Sequence, residues 1–337
     1  MRVLSIIRYK HYNDAFGNYL AKQNVEEQAF FVFNKVSNEK FPSKRKVMED
    51  EILAFVKLLC HFWHLRNRVI FCTSAQYAVM SIFRMFGAFL GKDSRLFIYN
   101  FYLHGLSNNI LVRRILRWMI NNNRLIMICQ SPNEVNFYRG LASTEQVKIC
   151  FVPYSSNYMP KIEPLKISNL NNYIFTGGYS NRDYQLVGKL AERHPERQFV
   201  IVASKLNTNV NNLSPNIKLF KDLPKEVFEN LLSHADAIIC PLKEDVGSSG
   251  QMLCISAMRN KKPIIYTDVS AINYYFNEGT GYPYKIGSID SLDNAYLNLF
   301  GNLEEARQRG EKVYLNSLNY TNENSYKAIY DIIREFS

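Results

Sequence analysis

The sequence predicts an α/β protein built as two doubly wound, mostly parallel sheets. Three observations carry this. Apolar runs of strand length alternate with stretches of helical periodicity. The alternation runs its course twice. Between the two courses, residues 153–172 lose all periodicity and carry Pro153, Pro160 and Pro164 among serines and asparagines, which marks a linker. At 337 residues the chain is long enough for two separate cores.

In the first course the strands fall at 2–7, 28–34, 68–73, 95–101, 125–130 and 147–153, with helices at 48–62, 74–90, 109–120 and 132–141. In the second, strands fall at 173–175, 199–203, 217–220, 237–240 and 263–267. Helices there fit 183–193, 225–234, 251–260, 289–299 and 303–318, and a last helix at 322–336 ends the chain. The predicted domains are 1–160 and 170–320, facing each other across a cleft, with 321–337 as a helix packing back on the first domain. In open α/β sheets ligands bind beyond the carboxyl ends of the strands, so the loops after those strands are where chemistry is sought.

Composition narrows the classes. The chain is 47% hydrophobic and 21% charged, an ordinary globular balance. No run of about 18 apolar residues is present, so no membrane-spanning helix is expected. The apolar run that opens the chain is too short for a signal peptide and reads as a first strand. The six cysteines, Cys60, Cys72, Cys129, Cys150, Cys240 and Cys254, all sit in or beside apolar runs and form no CxxC pair, which suits buried free thiols in a cytoplasmic protein. The net charge of +11 is lopsided. Residues 1–165 hold 22 Lys and Arg against 11 Asp and Glu, whereas residues 166–337 hold 19 of each. The first half therefore expects an anionic partner, whether a membrane surface, a nucleic acid or a phosphate-bearing acceptor.

Two loops carry the chemistry. In Phe175-Thr176-Gly177-Gly178-Tyr179-Ser180-Asn181-Arg182-Asp183 a strand runs into two glycines, a polar turn and a helix. Glycines let backbone approach a ligand, and a helix start favours an anion. Arg182 has the shape to clamp a phosphate and Asp183 to cap the helix, although a tight turn with a surface arginine gives the same pattern. In Pro241-Leu242-Lys243-Glu244-Asp245-Val246-Gly247-Ser248-Ser249-Gly250-Gln251 two glycines bracket two serines just before a helix. Successive N–H groups there form an anion nest, with hydroxyls as further donors and Lys243 as a nearby cation; a flexible Ser-capped loop is the alternative. The loop matches neither GxxxxGK[ST] nor GxGxxG.

These motifs occur in a telling order: Gly-Gly-Tyr-Ser-Asn-Arg-Asp, a strand ending Val202-Ala203-Ser204-Lys205, Asp222-Leu223-Pro224, Ala235-Asp236-Ala237, the Gly/Ser loop, Ala257-Met258 and Lys262-Pro263-Ile264-Ile265. Over about residues 172–285 that order resembles the donor-binding domain of GT-B glycosyltransferases, of the family-4-like, polysaccharide-biosynthesis kind. The resemblance implies two Rossmann-like domains. It implies a diphosphate held by the two loops and a nucleobase met by the backbone at Asp222-Leu223. It makes Gly178, Arg182, Lys205, Leu223, Lys243, Ser248, Ser249, Gly250 and Gln251 donor-site candidates. Many retaining members carry two glutamates eight positions apart around this loop; here those positions are Ser248 and Ser256.

In the first half, the loop after the first strand, 8–17, is expected to face the cleft. Gly17 is the candidate for close approach to donor and acceptor, and Asp14 a candidate base, with a turn role as the alternative. His104 lies beyond another strand end and is a second candidate base. Glu134 opens a helix, where a carboxylate also suits the helix start. The cluster Cys60-His61-Phe62-Trp63-His64 has no second Cys/His group, so a ring-rich face packing on the sheet is expected rather than zinc. Around 111–120, Arg113, Arg114 and Arg117 gather toward one side of a helix, with Leu111, Ile115, Trp118 and Met119 on another. Such a basic amphipathic helix suits a membrane interface; Phe83, Met85, Phe86 and Phe89 of the preceding helix would add apolar bulk if it lies alongside.

The resulting expectation is a cytoplasmic enzyme, peripherally bound to the inner face of a membrane. It would move a sugar from a nucleotide-diphosphate sugar to a hydroxyl of a lipid-linked or saccharide acceptor, with no metal or other cofactor and no nucleic acid. The alternatives are a sugar-nucleotide epimerase or hydrolase of the same fold, or an inactive binding protein.

Overall fold

The structure is a computed structural model. It describes residues 2–9, 15–33, 44–101, 109–143, 147–161, 163–167, 170–205, 207, 210, 213–245, 247–276 and 279–337. The chain divides into two units. The first holds Met1–Gln130, Glu134–Pro153 and Ser325–Ser337; the second holds Ser131–Asn133 and Tyr154–Asn324.

The first unit runs β1 (Arg2–Tyr9), α1 (Ala15–Lys22), β2 (Glu26–Phe33), α2 (Lys44–Cys60), β3 (Val69–Cys72), α3 (Gln76–Phe86), β4 (Arg95–Tyr99), α4 (Ile110–Ile120), β5 (Leu125–Cys129), α5 (Pro132–Leu141) and β6 (Lys148–Phe151). Its strands form one parallel sheet in the order β2-β1-β3-β4-β5-β6. β3 and β5 are buried at every position, as parallel strands covered on both faces must be. One face packs under α2, α3, α4 and α5. The other is covered by α1 and by the chain's last helix, whose Ile329 and Ile333 reach the core beside Val3 and Phe71. Tyr326 and Tyr330 of that helix meet Phe16 and Tyr19 of α1, ring against ring.

The second unit runs β7 (Tyr173–Gly178), α6 (Tyr184–Arg193), β8 (Gln198–Ala203), β9 (Ile217–Lys221), α7 (Lys225–His234), β10 (Ala237–Cys240), α8 (Gln251–Arg259), β11 (Ile264–Thr267), α9 (Ser270–Asn273), β12 (Tyr282–Tyr284), α10 (Ile289–Gly301) and α11 (Leu303–Ser317), before α12 (Asn322–Phe336) leads to the first unit. Its parallel sheet has the order β12-β11-β10-β7-β8-β9. Alternate residues of β7 and β10 point to opposite cores. Phe175 and Cys240 meet α7 and α8, whereas Ile174 and Ile239 meet α6 and α10.

The predicted fold class stands, with local corrections. The helix expected at 74–90 ends at Phe86 and tightens into a 3-10 turn, Gly87–Phe89. The strand expected to stop at 175 runs on through both glycines to Gly178. α1, α9 and β12 were not foreseen. Cys60 is exposed rather than buried, because it ends α2 on the side away from the sheet, and Cys150 is half-buried; all six cysteines are free. Trp63 does not pack on the sheet: it stands exposed on a 3-10 turn, Phe62–Leu65, while Phe62 turns inward. On α4, Met119 belongs to the core with Leu116 and Ile120, leaving Leu111, Ile115 and Trp118 outside. On α3, Phe83 is buried and Met85 exposed. Among the described residues no helix is long and apolar enough to cross a membrane.

One close approach fixes the packing of α11 beside α8. A Cβ on Gly310 would stand 2.3 Å from the carbonyl oxygen of Lys261. Backbone cannot swing aside as a side chain does, so Gly310→Ala is expected to destabilise the second unit by about 2 kcal/mol, read as a lowered urea midpoint at unchanged slope.

Candidate functional site

The site grows out of the topology of the second sheet. From β7 the chain moves to β8 on one side, and later returns to β10 on the other. The loops after β7 and β10 therefore leave for opposite faces and part at a switch point, the place where open parallel sheets form a crevice. The two sequence motifs are these two loops.

The β7 loop is built around Arg182. Its guanidinium is buried, donating from Nε to the Gly177 carbonyl (3.0 Å) and from Nη1 to the Ser180 carbonyl (2.8 Å). Gly178 has φ +136°, and a Cβ there would lie 2.6 Å from Arg182 Nη2. The second glycine thus makes room for the arginine. Gly177 answers to packing, since a Cβ would meet the Phe228 ring at 2.4 Å. The Tyr184 hydroxyl donates to the Gly178 carbonyl (2.8 Å), and burial pushes its pKa up, so it stays a fixed donor. Asp183 caps α6, its Oδ1 accepting from Leu186 N (3.1 Å).

This loop is stitched to the one after β10. Arg182 pairs with Leu242 as an antiparallel bridge, and Asp183 N donates to the Pro241 carbonyl (3.0 Å). Asn181, at φ +55°, gives its side-chain amide to the Glu244 carbonyl (2.8 Å) and accepts from Glu244 N (3.1 Å). Below them Leu242 N donates to the Thr267 hydroxyl (2.7 Å), which sits 2.8 Å from Tyr284 Oη. On the other side Asn207 donates to the Tyr179 carbonyl (3.1 Å), and Lys205 N donates to Asp222 Oδ1 (3.2 Å). The loops after β10, β7, β8 and β9 are thus joined in that order along the carboxyl edge.

The Gly/Ser loop ends at the start of α8. Gly250 occupies φ +86°, with no side chain capping the helix. A Cβ there would press Cys240 Sγ at 2.9 Å and Ile272 Cδ1 at 3.0 Å. Burial pushes the Cys254 thiol behind it up, so it is neutral. Gln251 is buried; Ser248 and Ser249 are half-buried; Lys243 and Lys205 are exposed. Leu223 packs against the core beyond β9, and Ser256 is buried within α8.

Of the sequence-predicted residues, the structure gathers Gly178, Arg182, Lys205, Leu223, Lys243, Ser248, Ser249, Gly250 and Gln251 on the loops and helix start of one sheet edge. Gly17 is buried on α1 of the first unit. Asp14 and His104 lie outside the described residues. Glu134 is buried, its Oε2 accepting from Gln130 N (3.0 Å), which ties β5 to α5. Sequence reasoning missed Asn181, Asn207 and Thr267. The signal for Asn181 was present, since asparagine tolerates positive φ better than most residues. Among the described residues no group of three or more His, Cys, Asp or Glu is placed to hold a metal ion.

Solved structures share this architecture along nearly the whole chain. Sucrose-phosphate synthase from Thermosynechococcus elongatus superposes with a TM-score of 0.74 at 12% identity, over 99% of this chain and 98% of that one. Anabaena HepE, solved with UDP-glucose, gives 0.68 at 12% identity, over 99% and 100%. The catalytic domain of starch synthase IV from Arabidopsis thaliana, bound to ADP and acarbose, gives 0.68 at 11%, over 99% of each chain. The chain has the GT-B fold. No family model and no curated protein sequence matches it. At these identities the likeness is one of fold, and the argument for function rests on the site.

Proposed function

We propose that the protein is a glycosyltransferase, moving a sugar, a hexose in the first instance, from a nucleotide-diphosphate sugar to a hydroxyl of a lipid-linked or saccharide acceptor. The observation that carries this reading is the pair of stitched loops at the switch point, ending in an uncapped helix start behind Gly250. HepE with UDP-glucose and starch synthase IV with ADP, on the same fold, support it.

In this reading the diphosphate is met by the backbone of 247–250 and the start of α8, with the Ser248 and Ser249 hydroxyls and the Lys205 and Lys243 ammonium groups as further partners. Arg182 acts as a positioning residue that holds the β7 loop. The nucleobase meets the backbone at Asp222-Leu223. The acceptor oxygen attacks the anomeric carbon, and the bond from that carbon to the diphosphate oxygen breaks. The fixed donors and cations stabilise the departing charge. For an inverting transfer the acceptor proton goes to a base, for which Asp14 and His104 are the candidates. None of these roles calls for a metal. The basic first unit is proposed to meet an anionic membrane surface, placing the enzyme at the inner face of the membrane.

The test is a thermal-shift screen against UDP-, GDP-, CMP- and dTDP-sugars. A ligand at about 100 times its dissociation constant stabilises by about 2.7 kcal/mol, a rise of about 5 to 10 °C for a unit of this size. One nucleotide class is expected to do so, with Ser249→Ala and Lys205→Ala weakening the effect. If no nucleotide sugar shifts the wild type, the donor-site reading is lost. Stabilisation with turnover in the absence of an acceptor would point instead to an epimerase or hydrolase.

A further inference from the structure

The chain has two tryptophans, and both stand exposed on one edge of the first unit. β3, β4 and β5 are parallel neighbours, so the segments that feed them share the amino edge of the sheet. The 3-10 turn Phe62–Leu65 leads to β3, the turn Gly87–Phe89 to β4, and the end of α4 to β5. Trp63 is 70% exposed, Phe89 65%, Met85 55% and Trp118 43%. The segments are tied together from within. Arg124 Nη1 donates to the Gly87 (2.6 Å) and Gly91 (2.8 Å) carbonyls, Asn122 donates to the Phe83 carbonyl (3.2 Å), and Asn67 N donates to the Leu90 carbonyl (2.8 Å). The exposed rings therefore stand on a braced edge.

The charge on this edge is nearly all of one sign. Residues 61–68, 84–95 and 116–124 hold seven Lys and Arg, and one acid, Asp93. Arg66 lies over the Trp63 ring (5.9 Å) and Arg84 over the Trp118 ring (5.8 Å). Arg66, Arg84 and Arg117 are exposed, and among the described residues none is paired with a carboxylate. Arginine at a helix carboxyl end suits the helix dipole, which accounts for some of this charge. It does not account for two tryptophans and a phenylalanine left in water on the same edge.

We propose that this amino edge is a bilayer-contact surface, on which Trp63, Phe89 and Trp118 enter the headgroup region of an anionic membrane while Arg66, Arg84 and Arg117 meet lipid phosphates. Aromatic rings with an apolar body and a polar tip settle at that depth, and cations beside them follow the leaflet's negative potential. A symmetric contact with a second copy would set arginine against arginine. Single-stranded nucleic acid would use the rings and the charge, but not the exposed Met85 and Ile115 beside them. The inference rests on the reading that the basic half meets an anionic surface, and not on the sugar chemistry.

Because no other tryptophan is present, intrinsic fluorescence reports this edge directly. The full chain is titrated with vesicles of about equal parts phosphatidylglycerol and phosphatidylcholine, and with phosphatidylcholine alone. The anionic vesicles are expected to shift emission to the blue, and brominated acyl chains to quench it; the neutral ones do neither. Sedimentation with anionic vesicles should fall about fivefold for each of Arg84→Ala and Arg117→Ala, and further for Trp63→Ser with Phe89→Ser. Two results would overturn the assignment and leave peripheral binding standing: vesicle binding with the emission unshifted, or binding undiminished in these surface variants. A blue shift that follows protein concentration without lipid, or that single-stranded nucleic acid alone produces, would overturn it in favour of a second copy or a nucleic acid. A silent nucleotide-sugar screen would leave every one of these readouts intact.

Discussion

Gly250→Val is expected to unfold the second unit at markedly lower denaturant and to abolish stabilisation by any nucleotide sugar. Two costs add. The residue sits at φ +86°, where a β-branched side chain is strained by about 1 to 2 kcal/mol. Its Cβ would also stand 2.9 Å from Cys240 Sγ and 3.0 Å from Ile272 Cδ1, both buried and hemmed in, and overpacking of this kind costs about 1 to 3 kcal/mol. The sum, about 2 to 5 kcal/mol, is a large part of the stability of a domain. Relief comes only by moving the start of α8 away from β10, and that movement carries the Ser248 and Ser249 loop with it. Gly140→Ala is the control: it lies in α5 with nothing within 4 Å of the added carbon, so it should be neutral or slightly stabilising. If the valine variant keeps both its midpoint and its ligand response, the strained turn at Gly250 is not what fixes the loop.

What the sequence made legible follows from burial. Leu125–Cys129 and Ala237–Cys240 are covered on both faces, so their unbroken apolar runs announced them as parallel strands. β12 escaped notice because it is three residues long with a proline at its centre; as an edge strand it has no need of that missing N–H. α1 was hidden by its eight-residue length and an internal Gly17. The two candidate loops were legible in place, since glycine, serine and asparagine after strands mark turns into helices, but the direction of their side chains was not. Residue identity did not reveal that Arg182 turns inward, because that depends on the bare Cα of Gly178 beneath it. Likewise periodicity set Trp118 and Met119 on one side of α4. They are about 100° apart on a helix, and the sheet buries one and leaves the other out.

Arg182→Met is expected to cost about 3 kcal/mol and to weaken nucleotide-sugar binding, through the loop rather than through a lost phosphate contact. Arg182 is 8% exposed and spends Nε and Nη1 on the Gly177 and Ser180 carbonyls. Methionine fills similar space and offers no donor, so the buried Gly177 carbonyl loses a partner that water cannot replace, at about 1 to 3 kcal/mol, and the carbonyl of the exposed Ser180 loses the contact that holds the turn, at about 1 kcal/mol. Because Asn181 and Leu242 zip this loop to the one after β10, the loss spreads to both loops. Arg182→Lys should recover little, since a single ammonium cannot reproduce the fork. The coupling is read by a double-mutant cycle with Gly178→Ala, whose Cβ would crowd Nη2 at 2.6 Å. With the arginine gone that crowding vanishes, so the double variant should be more stable than the sum of the singles predicts, while the strain of φ +136° remains. Strict additivity would deny that the glycine makes room for the arginine. An Arg182→Met protein that unfolds at the wild-type midpoint yet loses nucleotide-sugar stabilisation would instead return the residue to the phosphate itself.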